Sequence, residues 1–351
     1  MSAKPRVQYF ALGGTIATMP AESGAMKMGL GADDLIRMVP ALVDVAEVQG
    51  ETVARLGSSN LTIDVMLELA QRIEGLPRGG AEAPVGVVIS QGTDTLEETS
   101  FVLDCLLDGT LPVVLTAAMR NPSLTSADGA GNLLASVRSA ASPWLRENVG
   151  RIGVVVAFLD HVLAPFDIAK TETSRIDTFR SPATGPLATL IEDRVVPLSL
   201  PIRDWKRAVD AALGPRPATR LRAAARKPVA LLWSAFDEPG HLIDALLADP
   251  KHLGYGGVVV AGTGGGHVRD DHVERLTRLN QSIPVMIASR TGGGPLLAST
   301  YDGPGSEINL RRSGLIFAGR LHPLKTRLLL ELLLRGGVDR AGIARVFAAC
   351  G

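Results

Sequence analysis

Thiol chemistry has almost no material to work with here. The 351-residue chain holds two cysteines, Cys105 and Cys350, far apart and neither in a CxxC pair. That pattern excludes a dithiol redox couple and a thiolate zinc site. Cys105 lies within the apolar run FVLDCLL and reads as a small buried hydrophobe. A surplus of charge is also missing, because 36 basic and 36 acidic side chains cancel. Without a basic run, neither nucleic acid nor an anionic membrane surface is expected as a partner. No stretch of about 18 apolar residues occurs, so no membrane-spanning helix is expected. The N-terminal MSAKPRVQYFALGGT has only a short apolar stretch, which enters a glycine turn without a cleavage-site pattern; the expected location is the cytoplasm. That turn fits neither GxxxxGK[ST] nor GxGxxG, which argues against a nucleotide site.

What is present is the balance of an ordinary soluble globular protein, 46% hydrophobic and 21% charged. The length suggests two domains. Short apolar runs at Val7 to Leu12, Val85 to Ser90, Val113 to Ala117 and Ile152 to Ala157 read as buried strands. Amphipathic stretches at Ile63 to Ile73, Leu96 to Leu107 and Asn132 to Ala140 alternate with them and read as helices. Between Trp205 and Pro228 the alternation stops, and the proline- and arginine-rich stretch reads as a linker with at most a helical turn. It then resumes, with strands at Val229 to Trp233, Val258 to Ala261 and Val285 to Ala288, and helices at Leu242 to Leu247 and Thr326 to Leu334. This pattern predicts an α/β protein: a larger N-terminal parallel-sheet (flavodoxin-like) domain over 1–205, a linker over 206–228 and a smaller C-terminal α/β domain over 229–351.

Parallel sheets bind ligands beyond the carboxyl ends of their strands. Two loops there carry chemistry. In Leu12-Gly13-Gly14-Thr15-Ile16-Ala17 the glycines permit close backbone approach and Thr15 presents a hydroxyl, although a plain strand-to-helix turn fits the same residues. In Ser90-Gln91-Gly92-Thr93-Asp94-Thr95 the next helix begins, and Thr95 with Glu98 has capping-box spacing. Thr93 and Asp94 are not needed for that cap and suit a carboxylate ligand or a developing oxyanion near a helix N-terminus, while helix-start chemistry is the alternative for Asp94. Lys170 is either a solvated surface charge or, folded back on Asp94, a partner that activates the Thr93 hydroxyl.

Together these segments resemble the bacterial-type L-asparaginase family. LGGTIA and SQGTDTLEETSFVLD resemble its two signatures, and LTAAMRNPSLTSADGAGNL, DIAKTETSRIDTFRSPATGPL and FAGRLHPLKTRLLLELLL resemble further segments in the same order. The resemblance implies a hydrolase that converts L-asparagine to L-aspartate and ammonia, with Thr15 as nucleophile and Thr93, Asp94 and Lys170 as a second catalytic triad. It implies substrate contacts from Ser58, Ser59, Asp94, Gly92 and Ala117, and from Glu307 of a neighbouring subunit in a homodimer or homotetramer; an exposed loop carboxylate is the other reading of Glu307. No metal or organic cofactor is implied. His267, Asp270, Asp271 and His272 lie close in sequence but in no standard metal-site spacing.

Three departures stand out. Ser59 replaces the glutamine of many relatives, which keeps a broader amidase acting on glutamine or D-asparagine open. His267 stands where many relatives have a polar side chain that reaches across the dimer. The mobile-loop stretch Met19 to Leu30 has no tyrosine, with Ala25 at its place, and the chain's only tyrosines are Tyr9, Tyr255 and Tyr301. Tyr301 is read mainly as a packing residue, with substitution for the missing tyrosine from the C-terminal domain as the alternative. The missing tyrosine shifts weight to Thr93 with Lys170 and leaves a non-catalytic amino-acid sensor as a reading from another class.

Overall fold

The computed structural model describes residues 4–21, 26–249 and 252–351. Two compact units divide between Ile202 and Arg203.

The first unit is built on an eight-stranded sheet. In chain order its strands are β1 (Arg6–Ala11), β2 (Glu47–Thr52), β3 (Gly86–Ser90), β4 (Val113–Thr116), β5 (Val155–Phe158), β6 (His161–Leu163), β7 (Ala188–Ile191) and β8 (Arg194–Pro197). Spatially they run β8-β7-β6-β5-β4-β3-β1-β2. Strands β2, β1, β3, β4 and β5 are mutually parallel, in the 2-1-3-4-5 order of flavodoxin-like folds. The expected parallel, flavodoxin-like sheet is extended at one edge by the antiparallel strands β6, β7 and β8. β3, β4 and β5 are buried at every position, which is why they read as continuous apolar runs. Helix Gly129–Ala141 lies across β3, β4 and β5. Helix Leu96–Leu106, read as amphipathic, is buried on nearly all sides, with Cys105 and the polar Glu97, Thr99, Ser100 and Asp104 all inside. Ile152, read as a strand start, instead ends helix Pro143–Ile152; Gly153, at φ 75°, stops that helix before β5 begins.

The second unit carries four parallel strands in simple order, β9 (Val229–Trp233), β10 (Gly257–Gly262), β11 (Val285–Ser289) and β12 (Ile316–Phe317). The stretch expected as a linker is folded. Helices Asp204–Leu213 and Ala218–Ala223 occupy it, and the first lies against helix Arg340–Ala348. Trp205, Val209 and Leu213 recur every four residues and are buried, a stripe that outweighs the surrounding prolines and arginines. Among the described residues, no helix is long and apolar enough to cross a membrane.

Candidate active site

In the 2-1-3-4-5 order the strand sequence reverses between β1 and β3. The loops leaving their carboxyl ends therefore start side by side and diverge. Leu12 N donates to Ser90 O at 2.9 Å, carrying the pairing just past the strand ends. Gly13 (φ 106°) and Gly14 (φ 83°) then turn the chain through a region closed to most side chains. A Cβ on Gly14 would collide with the backbone of Gly92 and lie 2.6 Å from the carbonyl carbon of Gln91, so the two loops touch main chain to main chain. Thr15 and Thr93 each follow one of the touching glycines, just beyond the ends of neighbouring strands. Thr15 opens a single 3-10 turn pinned by buried Ile16 and Ala17, and its carbonyl accepts from Thr18 Oγ1 at 2.7 Å. Its own hydroxyl makes no hydrogen bond among the described residues.

The second loop is held from beneath. Gln91 is fully buried; its Oε1 accepts from Thr99 Oγ1 at 2.8 Å and its Nε2 donates to Gly92 O at 3.2 Å. Tyr9, also fully buried, shares a 2.6 Å hydrogen bond with Ser90 Oγ, and burial pushes its phenol well above the ordinary range. Thr93 and Asp94 lie in a 3-10 turn ahead of helix Leu96–Leu106. Lys170 folds back on both: Nζ donates to Thr93 Oγ1 at 3.0 Å and to Asp94 Oδ1 at 2.6 Å. The Lys170 side chain is only 14% exposed, so the solvated-charge reading does not hold, whereas that of Asp94 is 68% exposed. An ion pair with so exposed a carboxylate adds at most about 1 kcal/mol to stability, and its consequence is orientation of the ammonium.

Ser58, 3% exposed, ties a third loop to the same place. Its Oγ accepts from Asp94 N at 3.1 Å and its carbonyl accepts from Thr95 Oγ1 at 2.9 Å. The capping box expected of Thr95 is therefore not formed. The 3-10 turn winds ahead of the helix, and the hydroxyl bridges outward to Ser58 instead. Ser59 is exposed at the rim. Ala117, fully buried, follows β4; its carbonyl accepts from Asn132 Nδ2 at 3.0 Å, while Asp128 holds Met119 N and Arg120 N at 3.0 and 2.9 Å. Gln91, Thr99, Asp128 and Asn132 were not singled out from the sequence; buried polar residues in amphipathic runs were the available signal. Strands Thr18–Pro20 and Met26–Met28 pair as a ribbon at the base of the lid-like stretch, and Ala25, where the tyrosine is missing, lies outside the described residues.

Glu307 and His267 belong to the second unit. Glu307 is not an exposed loop carboxylate but a fully buried one. Its Oε1 accepts from Thr300 N and Tyr301 N at 2.6 and 2.7 Å, and its Oε2 lies 3.0 Å from His267 Nε2. Burial alone would raise the pKa of this carboxyl, but the backbone N–H donors of Tyr301, Glu307 and Thr300, with His267, outweigh it and bring the value from 4.5 to about 2. Tyr301 is 52% exposed, with its ring edge-on to His267. Asp270 accepts from Gly305 N, Asp271 pairs with Arg269, and buried His272 lies 3.9 Å from Glu238, so these residues and His267 are drawn to separate partners.

The depressed Glu307 value has a definite sign. The group stabilises the fold fully above about 4.5, its unfolded value, and that contribution disappears as pH falls through about 2. Glu307→Gln is therefore expected to lower the melting temperature at pH 6. The gap from the parent protein should narrow as the pH is taken from about 4.5 towards 2, measured by thermal denaturation. An unchanged gap across that range would contradict the assignment.

Comparison with known proteins points the same way. A family model described as Asparaginase, N-terminal, matches residues 6–202, and one described as Glutaminase/Asparaginase C-terminal domain matches residues 229–347. The chain is 33% identical over 348 residues to the probable periplasmic L-asparaginase of Haemophilus influenzae, covering 98% of this chain and 92% of that one. It is 32% identical over 351 residues to L-asparaginase 2 of Escherichia coli, covering 98% and 93%. Among solved structures, the probable cytoplasmic L-asparaginase of Campylobacter jejuni superimposes with a TM-score of 0.81 at 30% identity, over 98% of this chain and 99% of that one.

Proposed function

The chain belongs to the asparaginase family, and from that premise we propose that it hydrolyses the side-chain amide of L-asparagine to L-aspartate and ammonia with a threonine nucleophile. The observation that carries the reading is Lys170 bridging Thr93 and Asp94 beside the Gly14–Gly92 contact. A site for binding alone has no need of an ammonium aimed at a hydroxyl.

The Thr15 hydroxyl, free of hydrogen bonds among the described residues, attacks the carboxamide carbon. The proton released from the Thr15 hydroxyl ends on the amide nitrogen of the tetrahedral intermediate, which expels ammonia and leaves an aspartyl ester on Thr15. Water then adds to the ester carbon, one of its protons passes to the threonine oxygen, and aspartate is released. Lys170 Nζ donates to one lone pair of Thr93 Oγ1, so the Thr93 hydroxyl proton is left to donate to the substrate carbonyl oxygen or to align the water. Backbone N–H groups at Gly14, Gly92 or Ala117 face the developing oxyanion, each worth about 2.7–4 kcal/mol in comparable sites. Asp94 keeps its second carboxylate oxygen for the substrate ammonium, and Ser58 and Ser59 serve the substrate carboxylate.

The assembly is a homodimer or homotetramer and the compartment is the cytoplasm. The direct substrate contact expected of Glu307 in a neighbouring copy does not fit its full burial and its engagement by Thr300 N, Tyr301 N and His267, so its part is to hold that segment in place. A second reading, a broader amidase that accepts glutamine or D-asparagine, is favoured by the short, exposed Ser59 at the rim. Ammonia release from L-asparagine, L-glutamine and D-asparagine, together with mass spectrometry of acid-quenched enzyme, tests both. The expected result is fastest release from L-asparagine and an aspartyl adduct on the Thr15 peptide. No ammonia from any of the three amides removes the proposal.

A further inference from the structure

Lys170 reaches Thr93 from an unusually slight support. Its strand has two residues, Ala169–Lys170, paired antiparallel with Phe179–Arg180, and Lys170 stands opposite Phe179. Two ladder positions do not hold a lysine backbone in place by themselves. What closes the hairpin is Thr178, fully buried beside the ladder. Its Oγ1 donates to Glu172 O at 2.6 Å and accepts from Glu172 N at 3.1 Å, so one hydroxyl satisfies both backbone groups of the residue two beyond Lys170. Its carbonyl accepts from Thr171 N and from Thr171 Oγ1, each at 2.9 Å. The Glu172 carboxylate, accepting from Ser174 N and Arg175 N at 3.3 Å, folds the intervening turn back towards Thr178. On the far side Phe179 packs edge-to-face on Phe158 at the end of β5, centroids 4.9 Å apart, which fixes the hairpin to the main sheet.

We infer that Thr178 is a positioning residue for the reaction, acting through Lys170. The inference rests on the proposed role of Lys170. Thr178 has no described bond to Thr93, Asp94 or Thr15, and its four hydrogen bonds all end on Thr171 and Glu172, the two residues that follow the lysine. Thr178→Val keeps the shape and removes the hydroxyl, so the N–H and carbonyl of exposed Glu172 lose the one group that ties them to the buried Thr178 and turn to water instead. The lysine backbone then relaxes, and Nζ loses its simultaneous reach to Thr93 and Asp94.

The test is steady-state kinetics with L-asparagine on the intact protein. Thr178→Val is expected to lower kcat by about 10- to 100-fold, the scale of an ångström-sized misplacement of a reacting group, with KM little changed. Thr178→Ser, which keeps the hydroxyl, should recover kcat to within a few-fold. In a Lys170→Met background Thr178→Val should add nothing, because a residue that acts only through the lysine has no further effect once the lysine is gone. Thr178→Ala, with the same expected losses, serves if the valine variant does not fold. Full kcat in the Thr178 variants, or losses that multiply with those of Lys170→Met, would overturn the inference. Near-normal turnover in Lys170→Met alone would instead remove the underlying role of Lys170, and the inference with it.

Discussion

Thr15→Ala is expected to reduce asparagine turnover by roughly four to six orders of magnitude while leaving the melting temperature nearly unchanged. The Thr15 hydroxyl contributes no hydrogen bond to the fold among the described residues; the turn is held by Ile16, Ala17 and the Thr15 carbonyl, all of which alanine preserves. Loss of a nucleophile therefore falls almost wholly on rate. Thr93→Ala should be comparably slow, but with a difference. Thr93 Oγ1 accepts from Lys170, so its removal leaves a largely buried ammonium with Asp94 as its remaining described partner, and a stability loss of about 1–3 kcal/mol should accompany the kinetic one. If the two hydroxyls act as one unit, the double variant will be no slower than the worse single variant. Measurable ester accumulation in Thr93→Ala but none in Thr15→Ala would identify which oxygen is acylated. Near-normal ammonia release from both single variants would remove the threonine mechanism.

Gly14→Ala should be almost as damaging, for a reason that involves no lost functional group. The added methyl has nowhere to go, because the backbone of Gly92 and the Gln91 carbonyl carbon, 2.6 Å away, are main-chain atoms that cannot rotate aside. The two loops must part, and separating Thr15 from Thr93 by an ångström is expected to cost at least about 100-fold in kcat. Gly80 supplies the control. Its φ of 86° nearly equals the 83° of Gly14, yet a Cβ there meets nothing within 4 Å. Gly80→Ala thus carries only a positive-φ backbone penalty, on the order of 1–3 kcal/mol, with kcat intact. Equal kinetic effects in the two variants would show that backbone strain rather than loop separation is responsible.

The central strands were legible because they are covered on both sides and spell unbroken aliphatic runs, as in Val87-Val88-Ile89 and Val113-Val114-Leu115. Edge strand β2, EVQGET, is half-exposed throughout and carries no such signal. β6, β7 and β8 have three or four residues each, too few for an alternation to stand out. The helix Asp204–Leu213 was hidden by its neighbours' composition, although its every-fourth-residue stripe was present. At the site, the two threonine loops announced themselves through paired glycine and hydroxyl residues at strand ends. The return of Lys170 stood as only one of two readings of the residues, because it depends on a two-residue ribbon closed by Thr178. Nor did the fate of Thr95: the spacing that suggests a cap is the same whether its hydroxyl turns inward to the helix or outward to Ser58. The burial of Glu307 depends on two N–H groups from Thr300 and Tyr301, a convergence of backbone that side-chain identity does not encode.

Adjacent serines with opposite attachments have a bearing on how such a protein diversifies. Ser58 is fastened through both its hydroxyl and its carbonyl, whereas Ser59 is solvent-facing and its hydroxyl has no hydrogen-bond partner among the described residues. Exchanging Ser59 for longer or charged side chains should cost folding only about 0.5 kcal/mol. Preference among amides can drift at that doorway, residue by residue, while the chamber behind it stays locked.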